Sequence, residues 1–360
     1  MRLLGLSFIC FMVIACSENH PEKTIEKSKE LAQEKAIRIV GEAQGTTYSI
    51  KYFGDSVVSR NHIDSIFSQI DLSLSTWEPS SLISALNSSD TVYTVFDDYN
   101  HFFSDNFKIA REVYRETDGA LDPTVAPLVN AWGFGFKNKE EITPELIDSL
   151  LTLVGFDYED VRLSVFDDRI STNPERVLVK RDTRIALDFN AFAQGYSADV
   201  IGEYLRTKNI NSYMIEVGGE ILAGDQKPDG STWKLGIDKP TEQGESRALI
   251  ATIQLKNKSV VTSGNYRKFY VENGVKYAHT INPKTGYPVK HNLLSATVVH
   301  ANCGKADAYA TAFMVMGLKE TMKFLQSHPD IDAYLIYDDQ GDLKTWSTDG
   351  IKEMIEEKDL

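Results

Sequence analysis

Residues 187–220 read LDFNAFAQGYSADVIGEYLRTKNINSYMIEVGGE and contain in one run the kinds of element from which this chain is built. The first residues are typical of a strand that ends in a turn, and Ala193–Thr207 repeats its apolar side chains at helical spacing. Ser212–Val217 alternates as a strand does, and Gly218 and Gly219 follow at the strand end. This run therefore predicts a strand, a turn, a helix and a second strand in succession.

Similar patterns lie on both sides of this run. Further segments with strand alternation or helical periodicity are residues 47–53, 61–74, 98–117, 231–237 and 304–316. Residues 333–337 and 343–347 are predicted to form a closing hairpin. The chain has no visible repeat and no regular βαβ alternation. It is therefore predicted to form an α+β fold, a single globular domain (residues 37–357) of mixed or antiparallel sheets with packed helices.

The N-terminus has the pattern of a bacterial lipoprotein signal. Arg2 is followed by a short apolar run, residues 3–15, which is too short to span a bilayer and is typical of a signal peptide. Val13-Ile14-Ala15-Cys16 then matches a lipobox, which predicts a signal peptide at residues 1–15 and lipidation of Cys16. The alternative is an ordinary signal peptide with an incidental cysteine.

Residues 16–36 are predicted to be a lipidated polar tether. Residues 17–36 are charged and contain no aromatic residue, as expected of a solvated spacer. Of the three cysteines, Cys10 would leave with the signal and Cys16 would carry lipid, so Cys303 alone would remain and no internal disulfide is expected. Because 42% of the 360 residues are hydrophobic, the chain can bury a core instead.

The net charge of −14 limits the ligands that this protein can bind. This charge argues against nucleic acid as a partner, because binding its phosphates requires a basic surface. A phosphorylated small molecule would need a metal ion or backbone N–H groups to offset the repulsion. The charge therefore points to a metal ion or to backbone N–H groups wherever a phosphate is bound.

Two N-terminal segments have residues suited to a nucleotide. Residues 41–48, GEAQGTTY, join two strands and combine glycine with hydroxyl residues, which lets a ligand approach the backbone. The same letters also occur in an ordinary turn. Residues 74–81, LSTWEPSS, form a loop between two helices in which Trp77 can stack on a flat ring. The alternative is a tryptophan that caps the core.

Two central segments suit an anionic ligand. Residues 117–128, TDGALDPTVAPL, are a turn-rich, fixed loop in which Asp122 either contributes to a site or caps the next helix. Residues 187–199 run from a strand through a turn into a helix, where backbone N–H groups and the helix dipole favour an anion. Paired glycines in residues 216–220, EVGGE, suit close contact between backbone and ligand.

The C-terminal segments contain a candidate metal half-site. Residues 262–266, TSGNY, and 278–286, AHTINPKTG, are turn-rich stretches that flank strands. Asp307 and Thr311 follow on a helix and are four residues apart, so their oxygens face the same way. A carboxylate and a hydroxyl on one face are a plausible half-site for Mg²⁺. The alternative is a capping aspartate and a threonine bonded back to its own helix.

In this order, eight short motifs resemble the ApbE family of FAD:protein FMN transferases, across residues 41–317. They are G-x-A-x-G-T-T-Y, S-T-W-x-P-x-S, T-D-G-A-L-D-P-T-V-x-P-L, D-F-N-A-F-A-Q-G-Y-x-x-D, V-G-G-E-I, T-S-G-N-Y, H-T-I-N-P-K-T-G and A-D-A-x-A-T. Any one motif can arise by chance, but eight in series are highly specific. The resemblance implies cleavage of FAD at its pyrophosphate and transfer of FMN to a threonine or serine hydroxyl of a protein, with release of AMP.

The resemblance also implies roles for individual residues. Asp307, Thr311 and the backbone carbonyl of Ala191 are expected to bind Mg²⁺, with Asp307 also counted as catalytic, and Gly304 can add only its carbonyl. The expected FAD contacts are Gln44, Trp77, Ala120, Leu121, Asp122, Asp188, Gln194 and Ile281. His279 is expected to help deprotonate the acceptor hydroxyl.

Two departures from the family pattern concern the flavin contacts. Gln44 lies where many relatives have methionine, and Gln194 lies where many have lysine, so one positive charge near the ligand is absent. Two alternatives to the transferase stay open: a Mg²⁺-dependent FAD pyrophosphatase that gives FMN and AMP, and a lipoprotein that only binds flavin.

The family also suggests partners and a location. The expected acceptors are exported subunits of membrane redox complexes, such as the C subunit of the Na⁺-translocating NADH:quinone reductase or the G subunit of its electron-transport relative. The expected location is a lipid anchor on the periplasmic face of the inner membrane rather than the outer membrane.

Overall fold

An eight-stranded antiparallel sheet with helices packed on it forms the centre of the computed structural model. The structure describes residues 36–135, 139–165, 176–240, 248–265, 269–272 and 275–358. The strands are β1 (Ile37–Ala43), β2 (Thr46–Phe53), β3 (Tyr93–Phe96), β4 (Val161–Val165), β5 (Arg176–Lys180), β6 (Ser212–Val217), β7 (Glu220–Ala223), β8 (Trp233–Asp238), β9 (Leu249–Leu255), β10 (Lys258–Gly264), β11 (Phe269–Glu272), β12 (Val275–Ala278), β13 (Leu293–His300), β14 (Asp332–Asp339), β15 (Asp342–Ser347) and β16 (Ile355–Glu357). The helices are α1 (Arg60–Leu74), α2 (Leu82–Asn87), α3 (Phe102–Glu116), α4 (Ala126–Ala131), α5 (Pro144–Leu151), α6 (Ala193–Thr207), α7 (Cys303–Met316), α8 (Leu318–Ser327) and α9 (Asp349–Lys352).

Every strand pair within the described residues is antiparallel. The main sheet has the order β1-β2-β6-β7-β10-β13-β14-β15, and smaller sheets are formed by β16-β9-β8, β3-β5-β4 and β11-β12. Helix α7 packs on β10 and β13, and α6 packs on β6 and β7 and against α7. The predicted α+β class with antiparallel sheets is thus confirmed.

Helix α7 is the central helix of the core. Ten of its fourteen residues are buried, which is the pattern expected of a helix covered on all sides. Its first turn is capped by the side chain of Asn302, which accepts a hydrogen bond from the backbone N–H of Lys305 at 2.7 Å. Gly317 ends the helix with a φ of +77°, a left-handed value that glycine adopts without strain. Both ends are thus set by local sequence.

Several predicted elements agree with the structure. Helix α6 and strand β6 have the predicted bounds, and β14 and β15 form the predicted hairpin. The predicted helix at residues 98–117 instead begins at Phe102, because His101 has a φ of +60° that no α-helical residue adopts. Asp98 is not in the helix but accepts a hydrogen bond from the backbone N–H of Ser104 at 2.9 Å.

The strand predicted at Leu187 is wrong. No sheet partner pairs with this segment; instead the side chain of Asn87 donates to the carbonyl of Leu187 and accepts from its N–H, both at 2.8 Å. A side-chain amide thus satisfies the two backbone groups that a neighbouring strand would otherwise satisfy.

The prediction that residues 262–266 flank a strand is wrong for residues 262–264, which lie within β10. Tyr266 lies outside the described residues.

The predicted signal peptide and most of the tether, including Cys16, lie outside the described residues and stay predictions. Among the helices that the structure does describe, none combines the length and apolar character needed to cross a membrane.

Candidate active site

Helices α6 and α7 touch at two glycines, and this contact builds the candidate site. A Cβ atom on Gly195 would lie 2.5 Å from the carbonyl oxygen of Cys303 and 2.9 Å from the Cβ of Asp307. A Cβ on Gly304 would lie 3.2 Å from the backbone N and Cα of Tyr196. Because neither helix carries a side chain at these points, the N–H of Gly195 can donate to Oδ2 of Asp307 at 3.2 Å.

Asp307 is a buried carboxylate in an acidic environment. Its exposed fraction is 6%, and burial raises its pKa well above the ordinary value. The negative charges of Glu220 and, more weakly, Asp199 raise this pKa further, while the hydrogen bond from Gly195 opposes the rise. A cation next to this carboxyl group would favour its ionised form.

Thr311 lies one helical turn after Asp307 and faces the turn that precedes α6. Its hydroxyl oxygen is 3.4 Å from the backbone carbonyl oxygen of Ala191. The alternative interpretation of these residues is wrong, since Asn302 rather than Asp307 caps the helix and Thr311 donates to Ala191 rather than to its own helix. The expected oxygen donors from two separate segments therefore converge.

This donor set suits Mg²⁺. In an octahedral Mg²⁺ site with ligands at about 2.1 Å, adjacent oxygens lie about 3 Å apart, close to the observed Thr311–Ala191 distance. No three His, Cys, Asp or Glu side chains of the described residues are grouped to hold a metal. That finding is compatible with Mg²⁺, which usually takes one or two carboxylates and completes its shell with water and substrate phosphates.

Asp199 and Gly304 fix the position of the first turn of α7, Asp199 by hydrogen bonds and Gly304 by close packing against α6. The two carboxylate oxygens of Asp199 accept the N–H groups of Cys303 and Gly304 at 2.9 and 2.8 Å. Burial raises the pKa of Asp199 to about 7, although these two hydrogen bonds lower it. The carbonyl of Gly304 lies inside the helix, where carbonyls accept the amide four residues on. The structure thus gives Gly304 a packing role, and metal binding by its carbonyl stays a prediction.

The two glutamines that depart from the family pattern are in contact. Gln44 lies in the turn between β1 and β2 with a φ of +52°, and its side chain donates to the hydroxyl of Ser197 at 2.8 Å. The side chain of Gln194 donates to the carbonyl of Gln44 at 3.4 Å. Because Gln194 precedes Gly195, this contact connects the β1–β2 turn to the α6–α7 crossing. Both glutamine side chains are neutral donors.

Three loops with predicted flavin contacts are joined by hydrogen bonds. The N–H of Asp188 donates to the carbonyl of Pro123 at 2.7 Å, and the side chain of Asn190 donates to the hydroxyl of Thr76 at 2.9 Å. The loops at residues 75–81, 117–124 and 187–191 thus meet beside Ala191. Trp77 is 64% exposed, so it does not cap the core and its ring is accessible to a ligand.

Burial raises the pKa of two carboxyl groups in these loops, those of Asp122 and Asp188. Asp122 accepts the N–H and hydroxyl of Thr124 at 2.8 and 2.6 Å, and burial raises its pKa to about 6. It does not cap the next helix, whose N-cap residue is Val125. Burial also raises the pKa of Asp188. Ala120 and Leu121 are buried, so any flavin contact from them would come from the main chain.

The loop that contains His279 and Ile281 is connected to the 117–124 loop and to Trp132 by an ion pair and a hydrogen bond. Lys284 forms an ion pair with Asp118, which precedes the Ala120–Asp122 turn, and the carbonyl of Gly286 accepts the indole N–H of Trp132 at 2.8 Å. His279 is partly buried, and its ring lies edge-on to Phe134 with 6.5 Å between centroids. Ile281 is buried in a cluster with Leu128, Trp132 and Ile147.

A cavity of about 790 Å³ between α1 and the β1–β2 hairpin lies next to this site but is distinct from it. Ala43 and Glu78, the neighbours of Gln44 and Trp77, line it, whereas none of the predicted site residues does. Its carboxylates outnumber its guanidinium groups, so the pyrophosphate of a dinucleotide is not favoured there.

The sequence assigned no role to two acidic residues that the structure brings to the site. Asp199 is the last residue of the D-F-N-A-F-A-Q-G-Y-x-x-D motif. Glu220 follows the two glycines of V-G-G-E-I. The motifs alone assign neither residue to the site. The one signal in the sequence is an acidic residue close to a glycine, Asp199 after Gly195 and Glu220 after Gly219. The same combination also occurs in solvent-exposed turns. The hydrogen bonds of Asp199 to the start of α7 and the influence of the Glu220 charge on Asp307 depend on the tertiary structure.

Three comparisons with known proteins identify relatives of this chain. The ApbE family model matches residues 44–335. The chain is similar to the FAD:protein FMN transferase of Haemophilus influenzae, with 33% identity over 337 residues that cover 90% of this chain and 93% of that protein. The structure resembles that of the flavin transferase ApbE from Vibrio cholerae, with a TM-score of 0.76, 29% identity and coverage of 89% of this chain and 99% of that one. The apo flavinyl transferase ApbE of Pseudomonas stutzeri also has a TM-score of 0.76, with 28% identity over 89% of this chain and 96% of that one.

Proposed function

The chain belongs to the ApbE family, and on that premise we propose that it is a Mg²⁺-dependent flavin transferase whose metal is held by Asp307, Thr311 and the carbonyl of Ala191. The transfer of FMN from FAD to a protein is the activity that its curated relatives share. The observation that carries the metal assignment is the convergence of Asp307 with Gly195 and of Thr311 with Ala191 at the α6–α7 contact.

The proposed reaction is a displacement at the phosphorus of the FMN half of FAD. The acceptor hydroxyl oxygen of a threonine or serine forms a bond to this phosphorus, the bond to the AMP phosphate breaks, and AMP leaves. His279 takes the proton of the hydroxyl, which is a poor nucleophile until it is deprotonated. When bound, Mg²⁺ would offset the charge of the pyrophosphate, which this acidic protein cannot do alone.

The chain's own residues would position the flavin for this step. Backbone N–H groups at the start of α6 favour the pyrophosphate, and the accessible ring of Trp77 suits stacking on a flat ring of FAD. The hydrogen-bonded loops at residues 75–81, 117–124 and 187–191 hold these groups in fixed positions relative to Asp307. Preorganisation of this kind contributes much of the catalysis of phosphoryl transfer.

One experiment distinguishes the three candidate activities. The full chain in detergent is incubated with FAD, Mg²⁺ and the C subunit of a Na⁺-translocating NADH:quinone reductase as acceptor. We expect the acceptor to gain the mass of one bound FMN while AMP appears in equal amount, and EDTA to stop both. AMP with free FMN and an unchanged acceptor would identify a pyrophosphatase instead. Intact FAD bound to the chain would identify a flavin-binding lipoprotein.

The proposed location is a lipid anchor on the periplasmic side of the inner membrane. It rests on the lipobox at Cys16 and on the polar tether that follows. We expect the wild-type chain to sediment with inner membranes of a Gram-negative host and the Cys16→Ala variant to lose the acyl chains, as measured by mass spectrometry. An unmodified Cys16 in the mature wild-type protein would contradict the anchor.

A further inference from the structure

Strand β1 is an edge strand of the main sheet, and its outer side is open. Among the described residues β1 pairs only with β2, and a two-residue turn joins Ala43 to Thr46. The residues that flank such a turn form a hydrogen-bonded pair, and hydrogen-bonded pairs then alternate along the ladder. The odd-numbered residues of β1 therefore bond to β2. The backbone N–H and C=O groups that point to the open side are those of Arg38, Val40 and Glu42.

The cavity of about 790 Å³ beside the candidate site follows this open side. Residues 40–43 of β1 all line it, and α1 contributes Ser68 and Asp71 to its wall. Consecutive strand residues point to opposite faces of a sheet, so a cavity that touches all four lies alongside the strand rather than over one face. Val40, in the middle of the strand, is 49% exposed. This cavity, the β1 groove, thus lies where an added strand would pair with the sheet.

The described lining of the β1 groove has more carboxylates than cations. The five carboxylates are those of Glu42, Asp64, Asp71, Glu78 and Glu216, and the two cations are Arg38 and Arg60. Arg60 is already paired with Asp64 at 3.3 Å. If Arg38 neutralises one more, three of the five carboxylates still lack a cation from the lining. The charge of the groove therefore favours an occupant with positive side chains.

The β1 groove leads to the candidate active site. Ala43, at one end of its lining, is next to Gln44, whose carbonyl accepts a hydrogen bond from Gln194 at the start of α6. Glu78, also in the lining, is next to Trp77. Because Gln44 and Trp77 are both expected to contact the flavin, a chain that runs along β1 towards its turn leaves the groove beside the flavin site.

We propose that the β1 groove binds an extended, basic segment of the acceptor protein, which adds to the sheet as a strand beside β1 and brings the acceptor hydroxyl to the candidate active site. Main-chain hydrogen bonds to Arg38, Val40 and Glu42 supply the affinity, and the excess carboxylates select positive side chains. The inference rests on the proposed function, because it identifies where that transferase binds its protein substrate.

Val40→Pro tests the strand pairing. Proline removes the outward N–H of Val40 without removing a hydrogen bond to β2, so the sheet should stay folded with an unchanged melting temperature. Calorimetry measures binding of the full chain in detergent to the C subunit acceptor, with its modified threonine replaced by alanine so that no transfer occurs. We expect the Kd to rise about 10–100-fold, because a carbonyl of the acceptor loses its N–H partner. Val40→Thr keeps the N–H, and its Kd should stay within about twofold of wild type.

Glu42→Gln tests the charge of the groove. It removes one carboxylate from an exposed position of the lining. We expect binding to weaken and the Kd to depend less on salt concentration, because attraction between charges is screened by salt. Glu320→Gln, at an exposed position on α8, is the matched control and should leave both the Kd and its salt dependence unchanged. Equal effects of the two variants would contradict a basic occupant.

Turnover separates this inference from the proposed function. With the unmodified acceptor, Val40→Pro should raise the KM for the acceptor while the KM for FAD stays at the wild-type value. An unchanged Kd for Val40→Pro, or an equal loss of FAD binding, would overturn the proposal. A dimer of this chain that Val40→Pro abolishes, with acceptor binding unchanged, would identify a second copy as the occupant instead. If the wild type transfers no FMN but its acceptor binding still responds to Val40→Pro, the proposed function fails and the assignment of the β1 groove stands.

Discussion

Replacing Asp307 with asparagine is expected to lower the rate of FMN transfer by at least about a thousandfold, because the cation loses its only charged ligand among the proposed three. Asparagine still accepts the N–H of Gly195, so the α6–α7 contact is preserved. The measurement is the rate of acceptor mass gain at saturating FAD over a range of Mg²⁺ concentrations. Activity retained at ordinary Mg²⁺ would contradict the metal assignment.

The same variant has an expected effect on stability in the absence of metal. Because the folded-state pKa of Asp307 is raised, the folded protein holds a proton that the unfolded chain releases near pH 4. The free energy of unfolding of the metal-free wild type should therefore fall as pH rises from about 4 towards the folded-state pKa. Asp307→Asn should reduce this decline, and a surface variant, Glu320→Gln, should leave it unchanged.

Replacing His279 with alanine is expected to lower the rate of transfer by roughly 10²–10⁴-fold, the usual contribution of a general base. The loop should stay in place, because it is held by the Lys284–Asp118 ion pair and by the Trp132–Gly286 hydrogen bond rather than by the imidazole alone. FAD binding, measured by flavin fluorescence, is expected to change little. The loss should therefore appear in kcat rather than in the KM for FAD.

A control and a rescue make this second result specific. His62, an exposed histidine on α1, is the matched control, and His62→Ala should retain full activity. Imidazole added to the His279→Ala variant should restore part of the transfer if the lost group is a base. A variant that keeps more than about a tenth of the wild-type rate would exclude His279 from proton transfer.

Local patterns were sufficient for much of the fold. The bounds of α6 and β6 follow from apolar spacing within the segments themselves, and the closing hairpin follows from two alternating runs with a short turn. Where a tertiary contact replaced a local preference, the prediction was wrong. The segment at Leu187 has strand-like residues but pairs with the side chain of Asn87, 100 positions earlier in the chain.

The candidate site divides in the same way. Its residue types could be recognised from the order of eight motifs, and the i, i+4 spacing of Asp307 and Thr311 follows from helix geometry alone. The sequence does not show which groups contact Asp307. Gly195 is 112 positions away and donates its N–H to Asp307 only because α6 and α7 cross at glycines. The acidic surroundings of Asp307, from Glu220 and Asp199, depend on the same crossing. Spacing along one helix is a property of its own backbone, whereas the distance between two elements depends on the sheet and core that hold both.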